Sequence, residues 1–206
     1  MIPLLVALAS LAHAAATAYT FDAASSQLYV QVFRDETTMG SDLAHDHVVL
    51  ATGWSGSMSL DPDNVAACNI TVEVPVAGLS PDLPDLRRKV GYTTTLTDAQ
   101  QAQVKQHLQG DDQLAASLFP TVRFESTSCS GTLAALVVKG TLTVGNTRAP
   151  VQIAASAQAA DGGLRVRGGF ETTHQALGFQ PYSAFFGTLK NKQPLKFSLD
   201  VRARPR

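Results

Sequence analysis

Charge is scarce in this chain. Of its 206 residues, 16 are Lys or Arg and 17 are Asp or Glu, for a net charge of −1. So small and even a balance leaves no basic face for nucleic acid or an anionic membrane surface. Aromatic side chains are also few, at 7%, with Phe the commonest. Catalytic signatures are missing: there is no G-x-S-x-G elbow, no phosphate loop of the G-x-x-x-x-G-K-[ST] form, no H-E-x-x-H and no cysteine placed with a histidine as nucleophile and base. The carboxylates are scattered over polar faces. These absences argue against an enzyme. Beyond the N-terminal segment, no stretch is long and apolar enough to span a bilayer.

The N-terminal segment reads as an export signal. Ile2 to Leu11 carries no charge and, apart from Pro3 and Ser10, is apolar. The A-x-A patterns Ala12-His13-Ala14 and Ala16-Thr17-Ala18 follow as cleavage sites. No Lys or Arg precedes the run, which is unusual for such a signal. We assign 1–18 to a signal peptide and 19–206 to one domain. The expected location is periplasmic or secreted. Cys68 and Cys129 are an even pair in an oxidising compartment. Their phase is mixed. Cys68 falls with apolar Ile70 and Val72, whereas Cys129 falls with polar Arg123 and Glu125 unless a bulge intervenes. A bond and two separate thiols are both open.

What is present is alternation. Residues 118–151 read LFPTVRFESTSCSGTLAALVVKGTLTVGNTRAPV. Val122 and Phe124 share one face, Arg123 and Glu125 the other, the two-residue period of a half-buried strand. After Ser130-Gly131, Leu136, Val138, Leu142 and Val144 line one side of a second strand. After Gly145-Asn146, Val151, Ile153 and Ala155 start a third, completing a β-meander.

The segments FPTVRFES and VKGTLTVGNTRAPV resemble the strand-pair signature of the YceI-like family of lipocalin-like, polyisoprenoid-binding periplasmic proteins. Phe119, Pro120, Phe124, Ser126, Gly140, Leu142, Thr143, Gly145, Pro150 and Val151 carry the likeness, which extends loosely from Tyr19 to Val201. The resemblance implies an eight-stranded barrel and an isoprenoid or quinone-type chain bound inside it.

The rest of the chain fits that plan. Tyr19 to Arg34 reads as a strand pair or one long bent strand, with Leu28, Val30 and Val32 on one face. Val48 to Leu60 reads as one strand, with Val48, Leu50, Trp54, Met58 and Leu60 in one phase and Gly53 and Gly56 letting it bend sharply. Cys68 to Leu79 carries Ile70, Val72, Val74 and Val76 on its apolar face. Pro81 to Pro84 then breaks the sheet, and Arg87-Arg88-Lys89 reads as a solvated basic loop, with a ligand-headgroup contact as the alternative. Asp98 to Gln109 has helical composition, a Thr97/Gln100 capping box and Gly110 at its end. Val166 and Phe170, then Leu195, Phe197, Leu199 and Val201, mark two more one-faced strands. Pro181 to Gly187 is a loop rich in aromatics. The fold class is all-β: eight antiparallel strands with one helical excursion between the third and fourth. Alternation alone fits a sandwich as well, and the resemblance selects the lipocalin-like barrel.

The candidate ligand-binding residues are Trp54, Met58, Ile70, Val72, Val74, Phe124, Val138, Leu142, Ile153, Val166, Phe170, Phe197 and Leu199. Their convergence fits an apolar cavity or a core packed solid by its larger members; the resemblance favours the cavity. The sharpest polar feature is His45-Asp46-His47. H-x-H on a strand puts both imidazoles on one face, and His174 adds a third. These three are candidates for a ligand headgroup contact or a metal or haem site, or are solvated loop residues. The family pattern carries a single His in its first strand, so the pair is a departure. His45 and His47 are out of phase with Val48 and Leu50, which places them outside the barrel or at its rim. The expected function is an exported carrier of an apolar ligand, without chemical conversion. The alternative is a metal- or haem-linked protein using the three histidines. We expect no cofactor, no tightly held metal and no nucleic-acid partner, only an apolar lipid; a homodimer is left open.

Overall fold

The computed structural model describes residues 16–206. The signal-peptide assignment lies outside the described residues except for its last three. β1 (Thr17–Phe21) and β2 (Gln27–Arg34) are two segments of one bent strand. Between them a 3-10 turn, Ala23–Ser25, is capped by the Asp22 carboxylate, which accepts from Ser25 N. Both segments pair with the last strand: Tyr19 stands opposite Pro205 and Val30 opposite Phe197. The next strand is also broken, into β3 (His47–Ala51) and β4 (Ser55–Leu60). So is the third, into β5 (Asn69–Pro75) and β6 (Leu79–Pro81), separated by the turn Val76–Gly78. Two helices follow, α1 (Pro84–Lys89) and α2 (Asp98–Gln109). The long strands β7 (Thr121–Thr132), β8 (Ala135–Val144), β9 (Thr147–Ala160) and β10 (Gly163–Thr173) form the meander. The short β11 (Ser183–Ala184) pairs with the start of β12 (Leu189–Pro205).

Hydrogen bonding runs β1-β4-β5-β7-β8-β9-β10-β12 and returns to β1, which closes an eight-stranded antiparallel barrel. Closure leaves this ring without a free edge. The second segments form a branch: β2 pairs with β12, β3 with β2, and β6 with β3. Pairing of β5 with β7 ends at Pro75–Thr121, where Val76 N donates to Pro120 O. Beyond that point β6 leaves β7 for β3. Helix α2 packs on β6, and Val104, Leu108 and Leu114 reach the interior from this side.

The break between β3 and β4 corrects the single strand read over Val48 to Leu60. Gly53, at φ +64°, turns the chain through a left-handed conformation open to glycine at little cost. The turn shifts the phase. Even residues Met58 and Leu60 are buried in β4, but odd residues His47, Val49 and Ala51 face the interior in β3. His47 is therefore an inward residue, contrary to the sequence reading. Val48 points outward yet is fully buried, because α1 packs against β3. This also corrects the reading of Arg87 as a solvated loop residue: it lies in α1 and is 2% exposed. Pro84, read as a breaker, occupies the first turn of α1, where a missing N–H costs nothing. Helix α2 begins and ends where its capping box and Gly110 predict.

One bulge decides the cysteine question. In β7, Ser126 stands opposite Gly140 but Ser128 opposite Lys139, so the chain holds one extra residue there, Thr127. The shift turns Cys129 inward, opposite Val138, and it bonds to Cys68 at a Cα–Cα distance of 5.9 Å. Just before the bulge, the Phe124 ring lies over Gly140, where a side chain would collide with it.

Candidate functional site

The barrel interior has two levels. The lower one is filled. Tyr19, Met58, Leu60, Leu164 and Ala203 form a buried cluster, with Phe21, Ile70 and Val166 packed on it. This floor accounts for three of the thirteen expected ligand contacts: Met58, Ile70 and Val166 do not line the cavity. Neither do two others. Val138 is buried in the main core beside Leu136 and Cys129. Trp54 lies in the turn before β4, buried, with its ring 6.1 Å from that of Phe21. Alternation identified the inward face correctly for the four strand residues. It carries no information about height along the barrel.

The upper level is open space of about 300 Å³. Val72, Val74, Phe124, Leu142, Ile153, Phe170, Phe197 and Leu199, the other eight expected contacts, all line it. Leu28, Val30, Val32, Val49, Ala51, Leu79 and Leu195 belong to the same apolar wall, as do Val104, Leu108, Leu114, Val122, Val144, Leu177 and Phe179. Phe170 and Phe197 stack face to face at 4.5 Å with their planes 6° apart. They are opposed residues of β10 and β12.

Two polar lining residues, Tyr29 and Ser198, stand opposed in mid-strand on β2 and β12. His47, His107, Gln113, His174, Tyr182 and Asn191 come from strand ends, α2 and the connecting loops. The His107 and Tyr182 rings stack at 4.8 Å, and Asn191 N donates to Tyr182 O. Neither His107 nor Tyr182 was singled out from sequence. Both lie in segments without strand alternation, and only the loop's aromatic content hinted at Tyr182.

The three candidate histidines part company. His47 and His174 line the cavity and His45 does not. His174 is 3% exposed, its backbone N and ring Nδ1 both facing Gln193 O at 3.0 Å. A carbonyl only accepts, so Nδ1 carries the proton. Burial pushes the His174 imidazole below its ordinary titration range, though its backbone hydrogen bonds pull the other way. Burial likewise lowers His45, helped by the nearby His47 and Arg87. Asp46 faces away, its carboxylate accepting from Arg34 N at 2.9 Å. Among the described residues, no three His, Cys, Asp or Glu side chains are grouped to hold a metal ion.

His47 is part of a network that sequence did not suggest. Its Nδ1 lies 2.7 Å from Asp82 Oδ2. Asp82 is fully buried and also accepts from Val48 N at 3.1 Å and from Arg87 at 2.6 Å. Burial alone would raise the Asp82 carboxyl. The His47 hydrogen bond and charge, the Val48 N–H and Arg87 outweigh it, and the net direction is downward. The Arg87 guanidinium further donates to Thr94 O, Thr94 Oγ1 and Asp46 O, and lies over the Tyr92 ring at 5.2 Å. The available clue was Asp82 itself, an acid set between Pro81 and Pro84 shortly before the run Arg87-Arg88-Lys89.

Comparison with known proteins agrees with this geometry. The YceI-like domain description matches residues 19–201. Among solved structures, BcnA of Burkholderia cenocepacia superposes with a TM-score of 0.66 at 13% identity, over 88% of this chain and 98% of the other. A polyisoprenoid binding domain from Saccharophagus degradans gives 0.58 at 9% identity, over 92% and 99%. The Campylobacter jejuni YceI protein gives 0.53 at 14% identity, over 77% and 84%. At such identities the likeness speaks to the fold. No curated protein matches the chain. A closed eight-stranded barrel, a helical excursion before the meander and a domain match over nearly the whole described chain lead to one assignment: the chain belongs to the YceI-like family.

Proposed function

We propose that this protein is an exported carrier that holds a long apolar chain, of polyisoprenoid or quinone type, in the upper level of its barrel and releases it unchanged. The observation that carries the reading is the cavity itself: about 300 Å³ of space walled by aliphatic and Phe side chains above a filled floor. Empty apolar space of that size forfeits packing contacts that an apolar ligand would restore. Each buried CH₂ contributes roughly 0.8 kcal/mol before ordering costs. The polar residues gathered from strand ends, α2 and the connecting loops suit a ligand with a polar head and an apolar tail, the head lying near His47 and His174. Support also comes from the Saccharophagus degradans relative, described as a polyisoprenoid binding domain. The export leader is part of the same proposal. Among the described residues, no helix is long and apolar enough to cross a membrane. Mass spectrometry of an organic extract from the purified, exported protein tests the reading. A prenyl-chain compound at near-stoichiometric amount is expected, and an extract free of apolar compounds would contradict it.

A further inference from the structure

The cavity wall contains no Lys, Arg, Asp or Glu. The buried cation Arg87 does not line it and is fully engaged by Asp82, Asp46 O, Thr94 and Tyr92. Arg34 is tied to the carbonyls of Ser41 and Ala44 and is not part of the wall either. A phosphate or pyrophosphate head would enter this space with no Lys or Arg to face it, and an unpaired charge in an apolar enclosure is strongly disfavoured.

A neutral head has a partner. The His47 ring is fixed by Asp82, which accepts at Nδ1, and Asp82 is fixed by Val48 N and Arg87. The ring forms part of the cavity wall, and among the described residues its Nε2 has no hydrogen-bond partner. With Nδ1 held by Asp82, Nε2 accepts from a hydroxyl in the neutral imidazole and donates to a hydroxyl oxygen in the charged one, so a hydroxyl head has a partner in either form. Burial disfavours the charged form of His174, which lines the same cavity.

We propose that His47 Nε2 anchors the polar head of the ligand, and that the cavity takes a long apolar chain ending in a hydroxyl group in preference to the same chain ending in phosphate. Asp82 and Arg87 are positioning residues: they hold the ring and its tautomer without touching the ligand. The assignment rests on the carrier reading and adds the class of head to it.

The test is a competition assay on delipidated protein carrying the fluorescent apolar probe N-phenyl-1-naphthylamine. Three competitors share one chain: geranylgeraniol, the corresponding hydrocarbon and geranylgeranyl phosphate. In the wild type, the alcohol should bind about 3- to 10-fold tighter than the hydrocarbon, the worth of one net hydrogen bond. It should bind at least about 10-fold tighter than the phosphate. His47→Asn keeps an N–H for Asp82 but removes Nε2. It should abolish the alcohol's advantage over the hydrocarbon, read as the ratio of the two affinities in the same variant. His47→Gln gives up the Asp82 contact but reaches toward the Nε2 position, and should keep part of that advantage. Phosphate binding as tightly as alcohol in the wild type would overturn the assignment. So would an undiminished alcohol preference in His47→Asn. A wild type that takes up neither probe nor hydrocarbon would instead overturn the carrier reading beneath it.

Discussion

His47 Nδ1 lies 2.7 Å from the Asp82 carboxylate across 35 residues of sequence, joining the inner wall of β3 to the turn that leads into α1. The same carboxylate neutralises buried Arg87 at 2.6 Å. Removing it leaves a buried guanidinium without its counter-charge, which typically costs about 3–5 kcal/mol. Asp82→Ala should lose stability on that scale in urea unfolding. A loss below about 1 kcal/mol, the range of exposed ion pairs, would mean that the network contributes little.

Stability should fall with acid in two windows. His174 and His45 titrate below their ordinary value of 6.5 in the folded protein. Between that value and their folded values the unfolded chain binds more protons, so stability is complete above about pH 6.5 and declines as pH falls below it. Asp82 is also lowered, from 3.8. Its contribution is intact above that pH and is lost as pH falls through its folded value. Melting temperatures between about pH 7.5 and pH 5 read the first window. His174→Gln should flatten the slope there; an unchanged slope would remove His174 as its source.

The Cys68–Cys129 bond closes a separation of 61 residues. Replacing both cysteines by serine should cost about 2–4 kcal/mol, through the added freedom of the unfolded chain and lost packing at Cys129. Urea titration of oxidised wild type against the double variant measures the difference. Equal midpoints would show that the bond constrains nothing the barrel does not already hold.

Much of this arrangement was readable in the residues. The alternation of Leu136, Val138, Leu142 and Val144 gave a strand face that is buried in the structure. The Thr97/Gln100 box placed a helix start. Local chemistry decides both features, so sequence carries them. Three others depend on tertiary context. The phase of β3 reversed at Gly53, which moved His47 from outside to inside. The bulge at Thr127 reversed Cys129 in the same way. Burial of Val48 and Arg87 follows from α1 folding over β3, a long-range contact that periodicity does not encode. The candidate site was half legible for a related reason. Parity separates inward from outward, so Val72 and Phe197 were placed on the face that lines the cavity. It does not separate cavity from floor, so Met58 and Val166 were included with them.

The start of β1 bears on the proposed leader. Thr17 and Ala18 pair with Leu60 and Ser59 in β4. Cleavage after Ala14 preserves these pairs, whereas cleavage after Ala18 removes them. N-terminal sequencing of the exported protein should therefore begin at Ala15. A product that begins at Tyr19 would show that the barrel closes without those pairs, and one that begins at Met1 would contradict the leader itself.

Blocking the upper barrel tests whether that space holds an apolar ligand. Val72 lines the cavity. Val72→Trp should fill part of it while costing about 1–3 kcal/mol from overpacking. Ala155→Phe is less direct, because Ala155 packs against the core rather than the cavity. Native mass spectra of wild type and Val72→Trp, both purified after export, give the ligand occupancy of each. The wild type should carry a bound apolar mass, and a folded Val72→Trp should have lost it. Equal occupancy in the two proteins, or no bound mass on either, would contradict the carrier reading.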